Sequence, residues 1–310
     1  MKALALIFIA ALAFTGCNDL KDLRPVGPGT EIPVTVVNVV KAKFPNGEDL
    51  VFKPILEDKV WEVKLTSEAA QYSSLVDFGK MWETFKVVPD GVPATLQQSL
   101  QKTVFGDGTL SAYSRAYFAT TANNKLIYNY KGGNYSFEWA GVYPNTNSSA
   151  AFDQSLYRIA TYDVAELPAF VKDTIKTFPK ATFVMGYTWV RLDGSKLYYV
   201  MGKLNEGGMY DQLSLLFDER GKLRWMSNLF TQPGAPVSSS NLEPVPAEIK
   251  QYLDNTPELA GYQYERKLRS NINGLDSYYV VVGVGGNSRC ELYFDKDFNV
   301  LNKKYTVLLY

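Results

Sequence analysis

The chain has 310 residues, of which 46% are hydrophobic and 14% aromatic, so it is long enough to bury a substantial core. Lysine plus arginine and aspartate plus glutamate both number 32, and this balance argues against a nucleic-acid or polyanion binder. The sequence contains no histidine, which excludes Ser-His-Asp and Cys-His catalysis, histidine-ligated zinc and imidazole acid–base chemistry. We therefore expect a protein that is not an enzyme and that holds neither a metal nor a cofactor.

Residues 1–16 have the pattern of a signal peptide. Lys2 gives a positive start, an apolar run extends from Ala3 to Phe14, and small residues precede Cys17. The stretch 12–17 resembles a bacterial lipobox, although Phe14 is bulkier than the pattern prefers. In such proteins the cysteine becomes the acylated N-terminus, and two or three acyl chains are enough for stable anchoring.

This pattern predicts lipidation of Cys17, followed by a tether over residues 17–31. The protein would then be held by acyl chains in the bacterial cell envelope, on the periplasmic face or the outer surface. The alternative is an ordinary secretory signal in which the cysteine is coincidental.

One four-residue motif with proline at its second position occurs four times and predicts four helix starts. Apolar residues follow about three, seven and ten or eleven positions after the proline in most copies, which is the spacing of one helical face. Proline suits the first helical position because its missing N–H would have no partner there. The copies are residues 32–35, 92–95, 167–170 and 245–248.

Strand patterns come after each predicted helix. Residues 60–65 and 126–130 alternate between apolar and polar, whereas residues 197–201 and 278–282 are apolar on both sides. Residues 216–223 and 293–301 each place an acidic turn between aromatic-rich strands, and residues 76–81 form a fainter copy. This arrangement is typical of an antiparallel meander.

The repetition predicts an α+β fold made of four helix-plus-antiparallel-sheet repeats, with the helices on one face of each sheet. Because a unit of about 60 residues is marginal on its own, we expect the repeats to pair. The predicted lobes are residues 32–163, with repeats 1 and 2, and residues 164–310, with repeats 3 and 4.

Several of these motifs resemble the PepSY-like domains of bacterial envelope lipoproteins. They are Phe44-Pro45-Asn46, Phe178-Pro179-Lys180, the strand at residues 59–65 and the hairpin at residues 217–223. That family is similar in fold to the beta-lactamase-inhibitor protein, itself a tandem of helix-plus-sheet repeats. The resemblance covers nearly all of residues 32–310, with the second and fourth repeats departing from it. It implies a secreted binding or inhibitory module without catalytic residues, and shared fold alone does not imply β-lactamase inhibition.

Three groups of residues suggest a site but favour a structural interpretation. Residues 295–299 match the first half of a calcium loop, yet Val300 stands where glycine is needed and Thr306 where a bidentate glutamate belongs. We interpret them as a hairpin turn, with weak calcium binding left open. Cys290 has no partner once Cys17 is acylated, so we expect a buried thiol and no disulfide. The acidic residues expected on the surface are Asp153, Asp163, Glu166 and Asp173, and those expected to face water from strands are Glu62, Glu138 and Glu291.

The 21 tyrosines are the most suggestive feature for binding. The pairs Tyr198-Tyr199 and Tyr278-Tyr279 must place one ring on each face of a strand. If helices cover one face only, the other ring lies on an open face suited to protein or glycan contact. The alternative is burial on both sides.

The leading hypothesis is a lipid-anchored, non-catalytic envelope module that binds or inhibits a protein partner through its sheet faces. The sequence names no ligand-binding residue. The alternative is a glycan- or peptide-binding lipoprotein of a nutrient-uptake system. A carboxylate-dependent hydrolase is disfavoured because the chain lacks histidine and a paired-acid motif.

Overall fold

A computed structural model describes residues 31–103, 105–117, 123–140, 148–178, 181–206, 209–228, 238–272, 274–286 and 288–309. The predicted signal peptide and Cys17 lie outside these residues. The described residues contain four α-helices, two short 3-10 helices and eighteen β-strands. Within them, no helix combines the length and apolar character that crossing a membrane requires.

The four predicted helix starts are confirmed, with one change of detail. Each helix begins directly after the proline of its motif, so the proline is the N-cap residue and not the first helical residue. The carbonyl of Pro33, for example, accepts the N–H groups of Val36 and Val37. The helices are α1 (Val34–Lys43), α2 (Ala94–Gln101), α3 (Ala169–Lys176) and α4 (Ala247–Asp254).

The strands occupy most of the remaining described chain. In the first half they are β1 (Glu48–Leu56), β2 (Val60–Ser67), β3 (Ala70–Val76), β4 (Met81–Val87), β5 (Thr109–Ala116), β6 (Asn123–Tyr130), β7 (Gly133–Ala140), β8 (Ser148–Asp153) and β9 (Ser155–Thr161). In the second half they are β10 (Ala181–Arg191), β11 (Lys196–Glu206), β12 (Met209–Asp218), β13 (Leu223–Asn228), β14 (Ser238–Asn241), β15 (Gln263–Ile272), β16 (Leu275–Val284), β17 (Ser288–Phe294) and β18 (Val300–Leu309). The 3-10 helices are Val164–Glu166 and Pro257–Leu259.

The predicted α+β fold of four helix-plus-antiparallel-sheet repeats is wrong. The described chain is mostly β, and its strands do not form one separate sheet for each helix. Thirteen of them belong to one antiparallel sheet and five to another. The reason is visible at β8, which pairs with β18 so that Phe152 lies opposite Tyr305. A short meander leaves edge N–H and C=O groups unpaired, and pairing with a distant strand satisfies them.

The described residues form two compact units, the first of which takes those that fall within Met1–Pro89 and Ser114–Ala122. Its strands have the order β1-β2-β3-β4 and then the last residues of β5, all antiparallel. Helix α1 covers one face, and Val36 and Val40 pack with Trp61 and Val63 in the core. The alternation predicted for residues 60–65 therefore marks the face of β2 that lies under α1.

The second unit comprises Asp90–Tyr113 and Asn123–Tyr310. One of its sheets has the order β5-β6-β7-β8-β18-β17-β16-β15-β14, and the other has the order β13-β12-β11-β10-β9. The chain passes from the first sheet to the second at Gln154, between β8 and β9. Helix α3 covers one face of the five-stranded sheet through Val171. The predicted division of the chain into lobes at residues 32–163 and 164–310 is not tested by these features and stays a prediction.

Candidate functional site

The doubled tyrosines place one ring on each face of their strands, as predicted. Tyr198 points towards α3, where its ring lies 5.5 Å from that of Phe170. Tyr199 points the other way and stacks on Trp189 at 5.1 Å with an interplanar angle of 12°. Tyr279 lies on that second side as well, 5.1 Å from Tyr293.

The face that carries Tyr199 and Tyr279 is not open, because the two sheets of the second unit meet there. Trp189 and Trp225 of the five-stranded sheet approach Tyr293 of the long sheet at 6.3 Å and 5.0 Å between ring centroids. Leu301 from β18 completes the contact. The alternative prediction, burial on both sides, thus describes this region better than an open tyrosine face.

Side-chain hydrogen bonds hold β13 against β16. The indole N–H of Trp225 donates to the carbonyl of Tyr278 at 3.1 Å. The hydroxyl of Ser277 donates to the carbonyl of Met226 at 2.6 Å and accepts its N–H at 3.2 Å. These polar contacts fix the distance between the sheets where their aromatic side chains meet.

The inter-sheet region changes from fully buried to partly exposed. Leu216 and Trp225 are buried, but the tyrosine rings beside them keep part of their surface in solvent. We call five side chains the tyrosine cluster: Tyr187, Trp189, Tyr199, Tyr279 and Tyr293. Tyrosines with an apolar body and a partly exposed surface are the residues that protein interfaces favour.

Burial raises the pKa values of three phenols of the cluster, those of Tyr199, Tyr279 and Tyr293. It raises the pKa of Tyr293 well above the ordinary value, and the neighbouring phenols of Tyr279 and Tyr199 act in the same direction. It also raises the pKa of Tyr199, which a hydrogen bond with Ser214 only partly offsets. At neutral pH these groups therefore serve as neutral hydrogen-bond donors.

One carboxylate belongs to the site. Glu291 was expected to face water, but it is half-buried and accepts the Tyr279 hydroxyl at 3.1 Å. Burial and the charge of Glu291 both raise the pKa of Tyr279. Lys304 lies opposite Glu291 in the β17–β18 register, and burial lowers its pKa, with the charge of Arg158 adding to the effect. Glu138 is exposed, as predicted.

The predicted group of surface acids does not assemble into a site. Asp153 is buried, forms an ion pair with Arg158 and accepts the N–H of Ser155 at 2.7 Å. Asp163 caps the first 3-10 helix by accepting the N–H of Ala165. Asp173 pairs with Lys176 on the surface of α3. Among these acids Asp153 departs from the expected exposure, because it closes the turn between β8 and β9.

The residues that match half a calcium loop form a hairpin turn. The Asp295 carboxylate accepts the N–H groups of Asp297 and Asn299, each at 2.9 Å. The guanidinium of Arg224 lies 3.6 Å from Asp295 and 2.7 Å from Asp218. Nowhere in the described part of the chain do three or more Cys, Asp or Glu side chains group so as to hold a metal.

The sequence did not reveal a buried ion pair on the long sheet. Lys303 is 7% exposed, and its Nζ lies 2.6 Å from Oε1 of Glu258 in the second 3-10 helix. The ammonium also lies 5.6 Å and 5.7 Å from the ring centres of Tyr135 and Tyr305. From the sequence, Lys303 and Lys304 would both be expected on the surface. Alternation along a strand requires them to point to opposite faces but does not show which one points inward.

This pair holds the segment after α4 on the sheet and provides no reactive amine. Burial alone would lower the pKa of Lys303, but the phenols of Tyr252 and Tyr135 and the carboxylate of Glu258 raise it. Cys290 is free and buried as predicted, and burial raises the pKa of its thiol. Both groups are therefore protonated at neutral pH.

The sequence matches no protein-family model, and no curated protein is significantly similar to it. These comparisons do not bear on the PepSY-like resemblance, which stays a prediction.

Proposed function

We propose that this chain is a lipid-anchored, non-catalytic binding module of the bacterial cell envelope, and that it binds or inhibits a protein partner through its sheet faces. The tyrosine cluster between the two sheets of the second unit is the proposed contact site. The observation that carries the proposal is the partial exposure of Tyr187, Tyr199, Tyr279 and Tyr293 beside a buried tryptophan core.

Tyrosines in this setting suit recognition for physical reasons. Their rings are held by the inter-sheet contacts, so little rotamer entropy is lost when a partner covers them. Their hydroxyls supply hydrogen bonds, as the one from Tyr279 to Glu291 already does. Rigid aromatic anchors next to a desolvated core have the character of interface hot spots.

Three buried ionisable groups of the unit support a role without catalysis. General acid–base and nucleophilic groups need pKa values moved towards neutrality. Burial instead moves the pKa values of Tyr293 and Cys290 upward, and the Tyr252 and Tyr135 phenols and the Glu258 carboxylate move that of Lys303 upward, in each case away from neutrality. The resemblance to the PepSY-like domains of envelope lipoproteins supports the same role.

The second candidate is a glycan- or peptide-binding lipoprotein of a nutrient-uptake system. The nearly parallel Trp189–Tyr199 pair favours it, because stacked rings beside the Glu291 carboxylate combine an apolar wall with a polar acceptor. Titration of the intrinsic tryptophan fluorescence with oligosaccharides and peptides separates the two candidates. A saturable shift with a small ligand would favour the second.

Capture from solubilised envelope tests the leading proposal. The mature lipoprotein, immobilised in detergent, is expected to retain one protein that free lipoprotein displaces. Tyr187→Ala should reduce that capture because it removes a partly exposed ring of the cluster. Tyr162→Ala is the matched control, since Tyr162 is 71% exposed and lies outside the cluster. Equal capture by both variants would contradict the assigned site.

A further inference from the structure

The β3–β4 hairpin of the first unit ends in an exposed aromatic ring. Phe78 is 51% exposed. Its ring lies 5.5 Å from that of the fully buried Trp61, with an interplanar angle of 88°, so the hairpin tip packs against the core. The other side of the ring is available for contact.

The turn that presents Phe78 is fixed by a single carboxylate. Oδ1 of Asp77 accepts the N–H groups of Gly79 and Lys80, both at 2.8 Å, and Oδ2 accepts the indole N–H of Trp82 at 2.8 Å. Two of these bonds fix the backbone of the turn and the third joins it to the Trp82 side chain, so ordering the tip on contact would cost little entropy.

Two other hairpins use the same chemistry without an exposed ring. Asp218 and Asp295 also accept backbone N–H groups of their own turns. Their tips present charged residues, such as Arg220 and Lys296. Phe298, the aromatic residue of the Asp295 turn, stacks on Tyr278 at 5.0 Å. The turn itself therefore does not require an exposed phenylalanine.

Phe78 lies towards the end of the unit at which the chain enters α1. Phe44, just after α1, contacts Tyr72 near the start of β3 at 4.9 Å. Ile32, just before α1, and Met81, which lies opposite Val76 beside the Phe78 turn, pack against the same core. The first residues of α1 therefore lie towards the end of β3 where that turn begins. Val34, the first residue of α1, is 73% exposed.

We infer that this end of the first unit, with Phe78 and Val34, contacts the surface of the lipid bilayer that holds the acyl chains of Cys17. The inference rests on the proposed lipid anchor. Ile32 lies only 15 positions after Cys17, which limits the distance between them to about 50 Å even when the chain is fully extended. The anchor thus raises the local concentration of lipid at this end, and exposed aromatic and aliphatic side chains favour the interfacial region.

The charges around the tip predict a shallow contact that does not depend on anionic lipid. The neighbouring β1–β2 turn carries exposed Glu57, Asp58 and Lys59, and Lys80 adds one positive charge beside Phe78. Acidic and basic groups are mixed, so electrostatic attraction to a negative surface contributes little. Burial of the apolar side chains is the driving term.

A fluorophore on the hairpin tip tests this contact in the full mature lipoprotein. An environment-sensitive dye is attached to Lys80→Cys, and the protein is reconstituted in phosphatidylcholine vesicles with brominated acyl chains. Arg220→Cys, on the Asp218 hairpin, carries the same dye as the matched control. Cys290 is buried and does not compete for the label.

Quenching at position 80 is expected to exceed that at position 220 by at least about twofold, because interfacial side chains reach the acyl boundary. Phe78→Ser should reduce it while the protein stays vesicle-bound and its unfolding midpoint confirms folding. Equal quenching at both positions in bound protein would overturn the inference and leave the anchor standing. Failure of the protein to float with vesicles would overturn the anchor and the inference together. Loss of protein capture by Phe78→Ser, without quenching at position 80, would assign the tip to a protein and overturn the lipid contact.

Discussion

Single residues decide the stability of the second unit where charge is buried. Lys303 and Glu258 form a pair whose side chains are 9% and 10% exposed, with Tyr135 donating a further hydrogen bond to Glu258 at 3.4 Å. Such a pair contributes less than its Coulomb energy, because both ions lose hydration. Removing one partner is costly, since it leaves the other charge buried alone.

Glu258→Gln should therefore lower the free energy of unfolding by about 3 kcal/mol. Urea denaturation measures the change. Asp173→Asn is the control, because its partner Lys176 is exposed and surface pairs contribute little. An equal effect of the two substitutions would show that the buried pair is not formed in solution.

Acid should destabilise the protein partly through the same carboxylate. Burial alone would raise the pKa of Glu258, but its hydrogen bond and charge interaction with Lys303 lower it below the ordinary value of 4.5. A lowered folded-state pKa means that the contribution is present above pH 4.5 and is lost as the pH falls through the folded-state value. Chemical denaturation between pH 7 and pH 3 should show a smaller pH dependence for Glu258→Gln than for the wild type, and identical slopes would contradict this.

For single residues, burial could be predicted from the sequence only where composition and a local pattern determine it. A buried Cys290 could be predicted, because a lone cysteine in an apolar strand behaves as a small hydrophobic residue. Buried Asp153 could not, although its partner Arg158 is only five positions away, because the sequence did not show that the chain passes between two sheets there. Inward Lys303 could not, because its partner Glu258 is 45 positions away and becomes a neighbour only through the fold. The half-burial of Glu291 was missed for the same reason.

Among the elements, helices and turns were more predictable than sheets. A proline cap and one apolar face are local signals, and they located all four α-helices of the described residues. The pairing of β8 with β18 joins residues about 150 positions apart and leaves no local signal. The predicted fold class was wrong for that reason.

The stability of the hairpins whose turns begin with an aspartate should depend strongly on that aspartate. Burial alone would raise the pKa of Asp218, but hydrogen bonds from the Lys222 backbone and the Arg224 guanidinium lower it. Asp218→Ala removes these charge-assisted bonds and should cost about 2 kcal/mol in unfolding free energy. Glu219→Ala, at the exposed tip of the same turn, is the control and should change little. Similar losses for both would show that the carboxylate does not fix the turn.

Across the whole molecule, two different surfaces are proposed for contact. The second unit offers the tyrosine cluster between its sheets, and the first offers Phe78 on a fixed hairpin. The doubled tyrosines in the sequence pointed to the tyrosine cluster. Only the contact between the two sheets shows which ring of each pair belongs to the cluster. Phe78 was visible in the sequence only as part of a faint hairpin copy, since exposure is a property of the fold.

The central claim is that the tyrosine cluster binds the partner, and the adjacent pair Tyr198-Tyr199 tests it most directly. Tyr199→Ala and Tyr198→Ala change neighbouring residues on opposite faces of β11, so each controls for the other. The measurement is the dissociation constant of each variant for the captured partner, with folding checked by thermal unfolding. We predict at least about tenfold weaker binding for Tyr199→Ala, as for a hot spot, and wild-type affinity for Tyr198→Ala. Equal affinities, or a loss confined to Tyr198→Ala, would contradict the claim.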